Sequence, residues 1–342
     1  MTIRTLTYGM LALAAGLLPF RHSGQAQLLP NLGGQRVGIS TFQFLKLGVG
    51  ARGVGMGESF AAVANDASAL HYNPAGLSQV REDQVIAAHT EYVVDIRHEF
   101  FGAMVHLSEN DVLGVSVVAL HMADMEVTTE TQPFGSGSFF SFGDLAVGLS
   151  YSRRMTDQFS FGATVRYVQE TMDVLTTRAV TFDLGTYYWT GLGTTRFAVV
   201  ISNFGGDVAP EGSVTASDGK VTSTFQSFSV PTVFRLGFAF DPVATEQHRL
   251  TGAFQLDHPN DNAENFRLGL EYGWNETFFL RAGVKRTLRQ SLLGEDQTTA
   301  ESYSLGTGLR VPLGFASVQA DYAYSDFAQL GSIHRITLLC AF

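Results

Sequence analysis

The segment Phe266–Trp274 reads FRLGLEYGW, and its residues alternate between two kinds of side chain. The even positions are all apolar or aromatic, whereas the odd positions are Arg267, Gly269, Glu271 and Gly273. A period of two residues indicates a β-strand with one apolar and one polar face. Because about ten tilted residues are enough for a strand to cross a bilayer, the segment predicts a membrane-spanning strand.

Segments with the same alternation, such as Phe234–Phe240 and Phe315–Tyr324, recur from residue 83 to residue 342. A soluble β-sandwich also alternates, with its apolar faces turned inward. Aromatic residues at the segment ends favour a membrane barrel, which carries aromatic girdles at both interfaces. The chain divides into about fourteen such segments, and bacterial outer-membrane barrels have an even number of strands. The predicted strands cover residues 83–93, 97–107, 112–122, 141–154, 159–172, 178–189, 195–203, 230–240, 247–257, 264–274, 276–287, 301–311, 314–324 and 333–342.

We therefore predict an all-β fold, a transmembrane antiparallel β-barrel over residues 81–342. Its connections alternate between short turns and longer polar loops, as periplasmic turns and outer loops do. The longest loops are expected at 123–140 and 204–229. The polar face of each strand turns to the lumen, because a charge facing lipid at mid-depth costs a few kcal/mol. The charged side chains predicted to face the lumen are Arg166, Arg235, Arg249, Arg267, Glu271, Arg281, Lys285, Asp321 and Arg335.

The first 26 residues have the features of a signal peptide. Arg4 supplies a positive charge, Tyr8–Phe20 is apolar, and small residues in Ser23–Ala26 suit cleavage before Gln27. Together with the strands, this predicts the cell outer membrane of a Gram-negative bacterium. The formal net charge of −10 argues against a nucleic-acid partner, and the single cysteine, Cys340, excludes an intrachain disulfide.

The last predicted strand ends on an aromatic residue, Phe342. The terminal stretch Ile336–Phe342 resembles the assembly signal of outer-membrane barrels, which implies recognition by the barrel assembly machinery and a surround of outer-membrane lipids. The alternative is an edge strand of a soluble sheet, where an exposed Leu338 and Phe342 would be an aggregation hazard.

The N-terminal region contains the spacing Gly48-x-Gly50-x-x-Gly53, as in a dinucleotide-binding loop. Such a loop follows a strand, opens a helix and has an acidic residue about 20 residues further on. The nearest acids, Glu58 and Asp66, come too early. We therefore reject a nucleotide site.

A structural role explains these glycines better, because glycine allows left-handed backbone and close approach to a wall. We predict a small hatch over residues 27–80 that plugs the barrel. It contains a short helix over Glu58–Leu70, and Asn73–Pro74 ends that helix in a turn.

The stretch from residue 44 to residue 80 reads FLKLGVGARGVGMGESFAAVANDASALHYNPAGLSQV. It resembles the N-terminal signature of the PorV/PorQ family, within the FadL-like group of outer-membrane barrels, and is nearer to PorV than to PorQ. The resemblance implies a fourteen-stranded barrel with a hatch. It also implies a role in type IX secretion, with secretion components and the C-terminal domains of exported cargo as partners. The hatch motif, structural or ligand-contacting, consists of Gly50, Arg52, Gly55, Met56, Gly57, Asp66, Asn73 and Pro74.

Two functions of different classes follow. One is a secretion component that docks exported proteins on its outer loops, and the other is a FadL-like transporter of hydrophobic small molecules. The arginine-rich lumen and the PorV-like motif favour the first. We expect no enzyme activity, cofactor or metal. The acidic stretch Asp257–Asn262 is interpreted as a solvated turn, with oxygen-bound calcium as the alternative.

Overall fold

The computed structural model describes residues 38–215, 219–287 and 303–342. The predicted signal peptide, the first part of the predicted hatch and residues 288–300, between two predicted strands, lie outside these residues. Among the described residues, no helix is both long and apolar enough to cross a membrane.

Within the described residues, fourteen strands form one closed antiparallel barrel, which confirms the predicted fold. Each strand pairs with its neighbours in the chain, and β18 returns to β1, where Ala341 pairs with Gln84. In chain order the strands are β1 Gln84–Glu91, β2 Arg97–His106, β3 Asp111–His121, β4 Met125–Glu126, β5 Phe139–Phe140, β6 Phe142–Arg154, β7 Phe159–Met172, β8 Leu175–Trp189, β9 Arg196–Phe204, β10 Val214–Thr215, β11 Val221–Thr222, β12 Val233–Ala244, β13 His248–Pro259, β14 Asn265–Trp274, β15 Phe278–Thr287, β16 Tyr303–Pro312, β17 Ser317–Asp326 and β18 Ser332–Ala341. The pairs β4–β5 and β10–β11 are short hairpins outside the barrel.

The alternation in Phe266–Trp274 matches the two faces of β14. Arg267 and Glu271 are buried, whereas Leu268 and Leu270 are 56% and 53% exposed. The large apolar side chains thus cover the outside of the barrel and the polar ones line its inside. This is the reverse of a soluble sandwich and is the arrangement that a membrane requires.

The connections fall into two classes at the two ends of the barrel. At one end, here called the short-turn end, the connections are 107–110, 155–158, 190–195, 245–247, 275–277 and 313–316. At the other, the long-loop end, lie the connections 122–141 and 205–232, which contain the two hairpins. Since β1 begins where β18 ends, both strands meet the short-turn end.

Residues 38–80, here called the lumen segment, precede β1 and contain only short helices. They are the 3₁₀-helices Gln43–Lys46 and Pro74–Gln79 and the α-helices Ala51–Gly55 and Ala69–Tyr72. The helix expected over Glu58–Leu70 is therefore wrong for most of its length. Glu58 has a positive φ of 58°, and the backbone N–H groups of Phe60 and Ala61 donate to the wall residue Gln255 at 3.1 and 2.9 Å. These wall contacts replace the bonds that a continuous helix would make within itself.

Phe342 follows directly after β18 and offers a test of the assembly signal. Its N–H donates to Asp83 O at 3.0 Å, and Asp83 N–H donates to Phe342 O at 3.1 Å, while the residue as a whole is 58% exposed. We expect Phe342→Asp to lower the assembled fraction, because a carboxylate replaces an aromatic group that faces the membrane interface. The fraction with heat-modifiable gel migration measures this. The control Phe342→Tyr should assemble normally, and equal assembly of both variants would contradict the prediction.

Candidate functional site

The lumen segment crosses the barrel from the long-loop end to the short-turn end. At the long-loop end, the Thr41 hydroxyl and the Phe42 N–H donate to Glu170 of β7 at 2.7 and 3.0 Å. At the short-turn end, the Gln79 side-chain amide donates to Ser160 at 2.9 Å, and the Trp189 indole N–H donates to Gln79 at 2.9 Å. Polar contacts with the wall thus fix the segment at both ends.

The central contact is a chain of alternating charges that begins at Arg52, in the helix Ala51–Gly55. Arg52 donates to both carboxylate oxygens of Glu271 at 2.9 and 2.8 Å and to Asp66 at 2.6 Å. Glu271 also accepts from Arg281 at 2.6 Å, and Arg281 donates to Asp321 at 2.7 Å. Two arginines and three carboxylates thus alternate in a largely buried network, in which every charge has at least one partner of opposite sign, as buried charges require.

A second ion pair joins the lumen segment to the wall at Glu58. Its carboxylate accepts a hydrogen bond from Arg267, which also pairs with Asp257 at 2.7 Å. Burial alone would raise the pKa of Glu58, but the positive charges of Arg267, Lys285 and Arg335 lower it below its ordinary value. Glu58 therefore stays ionised and holds the segment against the wall.

Between these ion pairs, glycines allow the backbone of the lumen segment to touch the backbone of the wall. Gly57 has a φ of 64°, and a Cβ on the facing Gly283 would overlap Gly57 and Met56. A Cβ on Gly55 would press on the backbone of Gly306 at 3.2 Å. Glycine is thus needed on both sides of the contact.

Asn73 and Pro74 shape the part of the segment near the short-turn end. The Asn73 side chain accepts from Ala75 N–H at 3.1 Å and donates to Ala61 O and Thr186 O at 2.9 and 3.1 Å. Pro74 occupies the first position of the following 3₁₀-helix, where its missing N–H costs nothing. A single amide therefore caps one helix and links two parts of the segment to β8.

The structure brings together many of the residues that the sequence singled out. One network contains Arg52, Asp66, Glu271, Arg281 and Asp321. Gly50 and Met56 are buried but take no part in its ion pairs. Of the other predicted lumen charges, Arg166, Arg235 and Arg335 are buried and Lys285 is half-buried, as a position on the inner face requires.

Arg166 pairs with Asp183 at 2.8 Å inside the barrel. Arg249 is in phase with the inward face but lies at the short-turn rim, where it is half exposed and pairs with Glu276 at 2.9 Å. The alternation along a strand predicts whether a side chain faces the lumen or the lipid, but not how far it lies from the rim of the barrel. The sequence therefore could not distinguish the environment of Arg166 from that of Arg249.

Sequence reasoning missed Glu58, Gln255 and Glu170 as contacts of the lumen segment. It considered Asp257 and Asp261 only as calcium ligands or turn residues. The interpretation of this stretch as a solvated turn is wrong for both residues, because Asp257 belongs to β13 and both carboxylates are buried. Asp257 pairs with Arg267, and Asp261 accepts from Lys46 and Gln43 at 2.9 and 2.7 Å. Among the described residues, no group of three His, Cys, Asp or Glu side chains is placed to hold a metal ion.

The comparisons with known proteins agree with this architecture. The family model of type IX secretion system protein PorV matches residues 32–258. The toluene transporter TbuX of Ralstonia pickettii has a similar structure, with a TM-score of 0.57 and 13% identity over 86% of this chain and 97% of its own. The toluene transporter TodX of Pseudomonas putida reaches 0.56 at 13% identity over 90% and 99%, and a FadL homologue from Pseudomonas aeruginosa 0.55 at 12% over 86% and 98%. No curated protein matches the sequence. At these identities the structural likeness shows the fold alone.

The glycine contact predicts that Gly283→Val lowers thermal stability. Its side chain would displace the backbone at Gly57, and overpacking of this kind typically costs about 1–3 kcal/mol. The midpoint for loss of heat-modifiable migration measures the effect. The control is Ala282→Val on the same strand, because Ala282 faces outward and has room for the added methyl groups. Equal midpoints for the two variants would show that the contact is not tight.

The charge network predicts that Arg52→Ala loosens the lumen segment and raises ion conductance in planar bilayers. Removing one partner of a buried ion pair costs about 3–5 kcal/mol, because the remaining carboxylates lose their counter-charge. Arg249→Ala is the control, since an exposed pair contributes about 0–1 kcal/mol. Wild-type conductance for Arg52→Ala would contradict this role.

Proposed function

This chain belongs to the PorV family of the type IX secretion system, and on that premise we propose that it docks exported proteins at the outer membrane. The family and the closed barrel establish an outer-membrane protein. In this reading the short-turn end faces the periplasm and the long-loop end faces the cell exterior. The barrel would then anchor a binding surface in the membrane and would not conduct its cargo.

The observation that carries this proposal is the occupied lumen. The lumen segment is bonded to opposite walls through Arg52 and Glu271 on one side and through Gln79 and Ser160 on the other. A protein chain could pass only if this segment left its place. Recognition by the rim and the outer loops requires no such movement.

The hairpin β4–β5 at the long-loop end supplies a suitable contact surface. Its backbone is ordered by the bond from Val127 N–H to Ser138 O at 2.8 Å and by the bond from Gly137 N–H to Glu126 at 3.0 Å. At its tip, Phe134 is 99% exposed. A rigidly presented aromatic side chain is a common anchor of protein–protein interfaces, so Phe134 fits the role of a docking contact.

A FadL-like transporter of hydrophobic small molecules is the alternative. The likeness to TbuX and TodX concerns the fold, and it does not identify a substrate for this chain. A hydrophobic solute would have to pass the charged side chains of Arg52, Glu271 and Arg281. Such solutes bind in pockets lined mostly by apolar side chains, so these charges argue against transport.

The test replaces Phe134 with Ser in the native bacterium. We expect exported proteins to accumulate in the periplasm and their recovery with the barrel in mild detergent to fall about tenfold or more, as for loss of an interface anchor. The matched control is Phe315→Ser, because Phe315 is 91% exposed and lies at the short-turn end.

Mass spectrometry of proteins and lipids from the same purification distinguishes the two functions. Exported proteins recovered with the wild type and the Phe315 variant, but not with the Phe134 variant, would support docking. A stoichiometric hydrophobic compound with no protein partner would overturn docking in favour of transport.

A further inference from the structure

Two buried arginines in the lumen have serine hydroxyls as their only hydrogen-bond partners among the described residues. Arg235 of β12 is 6% exposed and donates to Ser202 at 2.6 Å. Arg335 of β18 is 2% exposed and donates to Ser325 at 2.9 Å, and its Nε is buried without an acceptor. A hydroxyl group cannot neutralise a guanidinium charge, so each site is incomplete as a buried ion site.

The nearby carboxylates are already engaged by other arginines. Asp257 stands opposite Arg235 on β13, but it pairs with Arg267 at 2.7 Å. The charge of Arg335 acts on Glu58, yet Glu58 also bonds to Arg267. The protein's own acids therefore leave positive charge uncompensated in this part of the lumen.

The two arginines act on the same region from different walls. In the order of the barrel, β12 and β18 are separated by five strands, so they lie nearly opposite each other. The lumen segment between them contributes Tyr72, whose ring is buried and whose hydroxyl donates to Val49 O at 2.8 Å. Burial and the charge of Glu58 raise the pKa of Tyr72, and the charges of Arg335, Arg267 and Arg235 oppose that rise. Both guanidinium groups thus lie within electrostatic range of one hydroxyl.

The neighbouring His71 does not add to this charge. Its ring is buried and packs against Tyr72 and Phe100. Burial, followed by the charges of Arg166, Arg235 and His98, lowers the pKa of His71 well below its ordinary value. His71 therefore stays neutral at pH 7, and the excess charge comes from the arginines.

We propose that Arg235 and Arg335 form the charged walls of an oxyanion-binding site in the lumen around Tyr72. The ligand carries a carboxylate or phosphate group, because planar guanidinium groups with free N–H donors match such oxygens. A free anion and the headgroup of a membrane lipid share this chemistry. The site is independent of protein docking, since it lies inside the barrel.

The test uses the full-length protein purified in a non-ionic detergent. Thermal midpoints are measured against inorganic phosphate, and separately against acetate, with chloride keeping the ionic strength constant. An anion that binds only the folded protein raises the midpoint with concentration. We expect Arg235→Gln combined with Arg335→Gln to weaken the apparent affinity about tenfold or more, which is the effect of losing a charge-assisted hydrogen bond.

The control with the same change in charge is Arg178→Gln combined with Arg249→Gln, because both residues are half-exposed partners of surface ion pairs. Heat-modifiable migration shows that each variant is folded. If the double lumen variant does not fold, the two single lumen variants and Arg335→Lys take its place, with Arg335→Lys expected to keep part of the affinity.

Extraction of the protein from native membranes separates the two sources of ligand. An anionic lipid that is retained by the wild type and the control, but lost from the lumen variant, identifies a headgroup. A midpoint response to phosphate or acetate without such a lipid identifies a free anion. Equal responses of the lumen variant and the control, or no response and no anionic lipid in the wild type, would overturn the site. Neither result depends on whether the protein docks cargo.

Discussion

The two-pronged ion pair between Arg52 and Glu271 is the contact on which the interior depends. Arg52 belongs to the lumen segment and Glu271 to the wall, and each carboxylate oxygen of Glu271 accepts from Arg52. Through Arg281 the same carboxylate is connected to Asp321 on a third strand. Without Arg52, the wall would retain an acidic excess at Glu271 and Asp321, which share the single counter-charge of Arg281. The segment and the wall are therefore complementary parts of one charged core.

The membrane imposes two further constraints, one on the backbone of the barrel and one on its charged side chains. Lipid cannot satisfy backbone N–H and C=O groups, so the sheet must close, and it closes where β18 pairs with β1. Lipid also excludes charge from the outer face, which sends every charged strand residue inward or to a rim. A crowded, charged lumen follows from these two conditions. The lumen segment supplies charges of opposite sign for several of the wall residues, as Arg52 does for Glu271 and Glu58 does for Arg267.

The sequence predicted the strands well because the constraint on them is local. In Phe266–Trp274 the polarity of each side chain indicates whether it faces the lumen or the lipid. All fourteen predicted segments overlap an observed barrel strand. The path of the lumen segment could not be predicted in this way. Glu58 meets Arg267 across 209 positions, and no spacing in the sequence links the two. The helix expected over Glu58–Leu70 was wrong for the same reason, since propensity carries no information on acceptors such as Gln255 that lie on a distant strand.

The order of these contacts along the chain has a consequence for biogenesis. The N–H of Ala51 donates to the hydroxyl of Thr337 at 2.8 Å, a contact between residues 286 positions apart. The seam between β1 and β18 likewise joins the first barrel strand to the last. Neither can form until nearly the whole chain is available, and contacts of such long range make folding slow. The lumen segment precedes every barrel strand in the chain, but it can be enclosed only when β18 pairs with β1. Closure of the barrel is therefore coupled to enclosure of the lumen segment, because the seam strand β18 itself supplies a contact of that segment, Thr337.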